Sequence, residues 1–445
     1  MTRLSWVLAI ALLSPVAVGA QGGRQGTPGA AAQDDTGTIG YTVDGIRVVH
    51  RFATNSDIVV ANLYLLGGVR QVTPRNAGIE LLLLESSGRG TRSYSRDQLR
   101  RRMASLGTSI ETQVRPDWSS IGLQATRQTF DSTWQVLASR VMEPLLQDSD
   151  VELVRTQLVA GVRQRQDLPD ALAEFVADSF AFDGHPYAVS PVGTELSLSS
   201  ISLPDLRAYQ ASQVVKSRLL LVVVGNVSRA HVTRLVRGSL ARLPAGSYAW
   251  TLPDTLPRSR ADALTIDRRL PTNYIVGRYP GPRADSPDYH ALRIATAILS
   301  GQLFSEIRSR RNLTYAVDAP FVERAVAAGG LYVTTVSPDV TLRIMQMQLQ
   351  DLQNGSIDPE GLDRLILQFI TQYFLDNESS VQQADFLARA ELYYGDFRRA
   401  DSFVDELRAI TPEDIRRAAR RYMRDVQFVY IGDARSAPLD IMRRY

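Results

Sequence analysis

The chain has 445 residues, 44% hydrophobic and 22% charged, with a net charge of +3 and no cysteine. This length allows two or more domains, and the balance is that of a folded globular protein. The small net charge argues against a nucleic-acid surface, and the missing cysteines exclude disulfides and lipid attachment at a cysteine.

Arg3 precedes an apolar run, Leu4 to Leu13, and Val18-Gly19-Ala20 supplies small residues ahead of Gln21. Residues 1–20 therefore read as a signal peptide, too short to anchor in a bilayer. The mature chain is expected in the periplasm or otherwise exported, soluble after cleavage near Ala20. Residues 21–40 are rich in Gly, Gln, Ala and Thr and read as a flexible tether. Order is expected from Tyr41. Val43–His50 and Ile58–Leu66 read as strands, the second nearly continuous in apolar residues. Asn76 to Ser86 reads as a helix with Asn76 as its cap. A helix over Arg96–Leu106 precedes a strand pair, Ser109–Gln113 and Ser119–Ala125, the first a candidate sheet edge. Helices are expected near 131–142 and 148–166.

A unit then appears twice. Ile201-Ser-Leu-Pro-Asp opens a helix ahead of the buried strand Leu219–Gly225, and Ile410-Thr-Pro-Glu-Asp opens one ahead of Val426–Gly432. The shared start signal and spacing indicate a duplicated domain. Pro244, Gly246, Pro253, Pro257 and Ser259 break any periodicity between the copies. The expected organisation is a domain over 41–245, a linker over 246–259 and a domain over 260–445. Helices and strands do not alternate strictly, which favours α+β, each domain a mostly antiparallel sheet packed with helices.

A helix-borne zinc site needs two imidazoles at i and i+4 on one face and a third ligand from elsewhere. In H-x-x-E-H the carboxylate polarises the metal-bound water. The segment Gly78-Ile-Glu-Leu-Leu-Leu-Leu-Glu-Ser-Ser-Gly-Arg-Gly-Thr91 follows a strand and has the order glycine, helix, Gly-Thr. Arg92-Ser-Tyr-Ser95, Leu106-Gly107, His185-Pro186-Tyr187 and Val192-Gly-Thr-Glu195 follow at matching intervals. Together these resemble the insulinase/pitrilysin family of zinc peptidases from about Tyr41 to the C-terminus. The resemblance places the ligand and catalytic positions on Leu81, Leu84 and Glu85. The four histidines are His50, His185, His231 and His290, so no shift of register restores the pair. The third ligand's stretch, Gln157–Arg165, holds no acid. Glu85 is expected to pair with a nearby arginine or to reach solvent, and no metal is expected on this chain. His50, His231 and His290 read as surface or capping residues, and His185 as part of a turn.

The second half holds Ser300-Gly-Gln-Leu-Phe-Ser-Glu-Ile-Arg308, read as a helix, and Asn312-Leu-Thr-Tyr-Ala-Val317, the start of a strand. From the residues alone, Arg308 can pair with Glu306 or Asp318 and Tyr315 can pack in a core. The resemblance implies a different role. There an arginine and a tyrosine at this spacing complete the active site, the one holding peptide carbonyls and the other donating to the oxyanion. It implies the non-catalytic subunit of a bacterial heterodimeric peptidase. Such a chain forms half of a clamshell chamber and supplies Arg308 and Tyr315 in trans to a homologous subunit that carries the zinc. Peptide would be the substrate, with no catalytic residue on this chain alone. The alternative is an inert scaffold or peptide-binding protein, as in the core subunits of respiratory complexes.

Overall fold

A computed structural model describes residues 37–257 and 259–445. The expected signal peptide, its cleavage point and most of the tether lie outside the described residues. The first sheet comprises β1 (Gly37–Val43), β2 (Ile46–Phe52), β3 (Ile58–Leu66), β4 (Ser109–Val114), β5 (Trp118–Thr126) and β6 (Leu219–Gly225). The second comprises β7 (Asp262–Asp267), β8 (Asn273–Arg283), β9 (Thr314–Asp318), β10 (Phe321–Val322), β11 (Val326–Thr335) and β12 (Gln427–Gly432). The first half's helices are α1 (Ile79–Ser87), α2 (Arg96–Leu106), α3 (Phe130–Met142), α4 (Asp148–Asp167), α5 (Pro169–Ala181), α6 (Glu195–Ser200), α7 (Leu203–Gln213) and α8 (Arg229–Gly238). Those of the second are α9 (Asp288–Leu303), α10 (Pro338–Asn354), α11 (Pro359–Asp376), α12 (Ser380–Tyr394), α13 (Arg399–Arg408), α14 (Pro412–Tyr422) and α15 (Leu439–Met442).

The fold is α+β, and the two sheets share one plan. The first runs β1-β2-β6-β3-β5-β4 and the second β10-β11-β8-β12-β7, with β9 also paired to β11. The strand sequence β2-β6-β3-β5 is thus repeated as β7-β12-β8-β11. Each sheet is antiparallel except at the matching pairs β2–β6 and β7–β12. The duplicated helix starts also agree in detail. Ser202 accepts from the Asp205 amide at 3.2 Å, and Thr411 accepts from the Asp414 amide at 3.2 Å. Each acid's side chain answers the cap's own amide, so both helices open on a reciprocal box, a cap typically contributing about 1 kcal/mol.

Two local expectations are corrected. Residues 37–40, read as tether, are already β1, in register with Phe52 back to Val49. An edge strand needs backbone pairing rather than apolar alternation, so composition concealed it. Asn76 is not the cap of α1. Its side chain instead accepts from Thr73 (2.7 Å to the amide), and Gly78 takes the cap position at φ 87. A Cβ at Gly78 would lie 2.9 Å from the Val192 carbonyl oxygen, and one at Gly193 2.6 Å from that of Ala77. The Val192-Gly-Thr-Glu195 motif is therefore the surface on which α1 begins.

Each half lends a helix to the other. On α5, Ala173 and Ala177 pack against Val276, Val429 and Ile431 of the second sheet. On α12, Ala384, Leu387 and Ala388 pack against Val49, Val60 and Val222 of the first. Small residues let both helices lie close to the strands. This double cover explains why β6, Leu-Leu-Leu-Val-Val-Val-Gly, is buried along its whole length. At the ends of the seam Asp178 of α5 pairs with Arg278 (3.0 Å) and Arg324 (3.1 Å). Tyr248, Trp250 and Leu252 of the expected linker pack along the same seam. Trp250 donates to the Leu392 carbonyl at 2.7 Å and lies under the Arg70 guanidinium.

Asp117, 2% exposed, joins the halves at one point. One carboxylate oxygen accepts from the Tyr187 hydroxyl at 2.5 Å. The other accepts from the Ala325 amide at 2.9 Å and the Tyr393 hydroxyl at 3.2 Å. Burial pushes its pKa up, and these donors oppose the rise. Two histidines read as surface positions are covered instead. His50 is buried on β2 against the edge of Tyr41, and His290 on α9 lies 3.1 Å from the Tyr394 hydroxyl.

Asp117→Ala leaves three buried donors unanswered, each costing about 1–3 kcal/mol. Urea denaturation should show a loss of at least roughly 3 kcal/mol. Burial also pushes His290 down to about 4, whereas a histidine in the unfolded chain titrates near 6.5. The unfolded state therefore binds the extra proton first. Stability present above pH 6.5 is lost as the pH falls toward 4, by up to roughly 3 kcal/mol. His290→Gln should show a shallower decline across that window.

Candidate functional site

The helix that the resemblance aligns with a metal site packs hydrocarbon at those positions. Leu84 is buried, and with Leu63, Leu65, Leu83 and Val141 it lines a gap of only about 20 Å3. Leu81 and Glu85 are half-buried. Arg140 closes the helix end, donating to the Leu84 carbonyl at 3.0 Å and to the Ser87 hydroxyl at 3.2 Å. Burial pushes Arg140 down to about 10, and the Glu85 charge partly offsets the fall. Glu85 thus faces a guanidinium. The Gln157–Arg165 stretch lies on α4, which packs against α1. Gln157 there accepts from Arg89 at 2.9 Å. Among the described residues, no group of three or more His, Cys, Asp or Glu could hold a metal ion.

What fixes α1 is a buried ion pair. Glu80, 4% exposed, accepts from Arg218, 1% exposed, at 2.7 Å. Tyr209 (2.8 Å) and Ser119 (2.5 Å) complete its coordination. Arg218 also donates to the Leu66 carbonyl at 2.7 Å, tying the helix to the end of β3 and the start of β6. Sequence reading overlooked this pair. Its signal was an acid inside the run Ile79-Glu-Leu-Leu-Leu-Leu84, where a charge needs a partner.

The second-half segment is arranged differently. α9 runs into a π-helical turn over Phe304–Ser309, a rare geometry often found at functional sites. Buried Ile307 anchors the turn, and Phe304, Arg308 and Tyr315 face outward. The Arg308 guanidinium lies 5.0 Å from the Phe304 ring centre and 5.2 Å from that of Tyr315. Tyr315 is 86% exposed. Glu306 is engaged by Arg310 and Arg311, and Asp318 accepts from Ser300. The ion pairs and core packing that the residues alone allowed for Arg308 and Tyr315 are therefore not formed. Thr314 points inward and answers the Ala316 amide at 3.0 Å, so strand alternation turns Tyr315 out. Among the described residues, no hydrogen bond, ion pair or ring contact links α1 to this pair.

Residues 200–369 match the family model described as peptidase M16 inactive domain. The chain is similar to known proteins well beyond that stretch. It is 21% identical over 403 residues to an uncharacterised zinc protease of Streptomyces coelicolor, covering 86% of this chain and 87% of that protein. It is also 21% identical over 420 residues to mitochondrial cytochrome b-c1 complex subunit 1 of Caenorhabditis elegans, covering 88% and 87%. The crystal structure of a peptidase M16 inactive domain from Pseudomonas fluorescens has the same fold, with a TM-score of 0.82 and 19% identity over 89% of this chain and 98% of that one. The M16 match contains Arg308 and Tyr315 and stops short of α1. Among the described residues no helix is long and apolar enough to cross a membrane.

The purified chain is expected to carry no stoichiometric zinc by elemental analysis after dialysis against micromolar zinc. A tight one-to-one site would overturn the reading of Leu81, Leu84 and Glu85.

Proposed function

We propose that this chain is the non-catalytic subunit of an exported heterodimeric zinc peptidase. A homologous subunit carries the zinc helix, and this chain closes the peptide chamber and presents Arg308 and Tyr315 to the substrate in trans. The observation that carries the proposal is the state of that pair: Arg308 is stacked, without a carboxylate partner among the described residues, beside an outward-facing phenol. Its guanidinium is free to hold peptide carbonyls. The Tyr315 hydroxyl can donate to the oxyanion that forms when a zinc-bound water attacks the scissile carbonyl. Export rests on the N-terminal segment, Arg3 through Ala20. Edge strand β4 offers unpaired backbone to an extended peptide.

A second reading, an inert scaffold or peptide-binding subunit, draws on the hydrocarbon filling of α1 and the likeness to a cytochrome b-c1 complex subunit. Turnover separates the two. The chain mixed with a sister chain bearing H-x-x-E-H should cleave peptides that neither cleaves alone. Tyr315→Phe should lower kcat by about 10²–10³, the cost of one oxyanion donor. Arg308→Gln should chiefly raise KM. Unchanged kinetics in both variants would leave the scaffold reading standing.

A further inference from the structure

Strand β9 is irregular where Tyr315 sits. Asp318 pairs with Tyr332 and Val317 with Val333, but the next pair is Thr314 with Thr335. Three steps along β9 therefore match two along β11. Tyr315 and Ala316 together face Thr334, which makes a β-bulge.

The bulge decides which way the phenol points. Side chains alternate along a strand, so residues two apart share a face. Val317 is 9% exposed and packs in the core of the second half. In a regular strand Tyr315 would lie on that buried face with it. The extra residue reverses the alternation between them, and Tyr315 is instead 86% exposed, beside Arg308.

One side chain closes the bulge. A bulged residue leaves the ladder, and its backbone groups need other partners. The hydroxyl of Thr314, itself 8% exposed, accepts from the Ala316 amide at 3.0 Å. Its own proton faces the carbonyls of Ala316, at 2.8 Å, and of Thr334 across the strands. The flanks are fixed separately. The Thr335 hydroxyl donates to the Leu313 carbonyl at 3.0 Å, and the Leu313 amide donates to the Ile307 carbonyl at 3.0 Å. Asn312 makes the turn from the π-helical segment into β9 at φ 51, a conformation asparagine tolerates. With its flanks held in this way, the bulge rests on the Thr314 hydroxyl.

We propose that Thr314 is a positioning residue for Tyr315: its hydroxyl holds the bulge that turns the phenol out beside Arg308. Valine has nearly the same shape but no hydroxyl, so Thr314→Val leaves the Ala316 amide unanswered and favours regular pairing. Thr314→Ser keeps the hydroxyl. That the phenol acts on a peptide rests on the function proposed above; its dependence on Thr314 rests on β9 alone.

Two measurements on the whole chain test this without a partner subunit. Hydrogen exchange at the Ala316 amide should be at least about 10-fold faster in Thr314→Val and within about 2-fold of the parent in Thr314→Ser. Nitration of Tyr315 by tetranitromethane, read by peptide mass analysis, should slow at least roughly 5-fold in Thr314→Val and recover in Thr314→Ser. Unchanged exchange or nitration in Thr314→Val, or equal changes in Thr314→Ser, would overturn the proposal. Mixed with the zinc-bearing sister chain, Thr314→Val should lower kcat about 10-fold with little change in KM. It should have no further effect once Tyr315→Phe is present. A loss that persists in the Tyr315→Phe background would mark a merely structural role and overturn the positioning. Slowed nitration with unchanged kcat would uphold the positioning and count against the oxyanion role of Tyr315, so the two failures are distinguishable.

Discussion

Asp117 is the point on which the relation between the two halves depends. Its carboxylate gathers one donor from the loop before α6, one from the start of β11 and one from the end of α12. A single buried acid thus sets three elements at a common distance. The packing of α5 and α12 and the Trp250 bond join the same halves elsewhere on the seam. A buried carboxylate is an unfavourable thing to keep, since burial works against its charge. Its three directed bonds compensate in geometry, which dispersion between alanines and valines cannot supply.

The two candidate sites divide along the same seam. In the first half α1 is part of the core, braced by Glu80–Arg218 beneath and Arg140 at its end. Its side chains serve packing and leave no room for an ion. In the second half, a rare helical turn holds Phe304 and Arg308 outward beside Tyr315 of β9. Structure built for stability and structure exposed for contact therefore occupy opposite ends of one duplicated plan.

Much of this was legible in the sequence. The α+β class and the paired starts at Ser202 and Thr411 follow from periodicity and capping chemistry, both of which are local. What was hidden depends on distance in sequence. No window of residues could show that Asp117 meets Ala325 and Tyr393, or that Glu80 meets Arg218. The helix α5 was missed because its buried face is made of alanines, Ala173, Ala177 and Ala181, which give little apolar contrast. His290 read as exposed because its cover comes from α12 and α13, about a hundred residues on. The open state of Arg308 depended on Glu306 choosing Arg310 and Arg311, a choice among neighbours that spacing leaves undecided.

The mutual loan of α5 and α12 has a consequence for how the chain can be cut. A lone half, folded on this plan, would expose one face of its sheet, because the helix that covers it belongs to the other half. Neither half can therefore be expressed alone without leaving an apolar sheet face open to water, where it invites association. The duplicated plan is one folding unit, although its sequence divides in two.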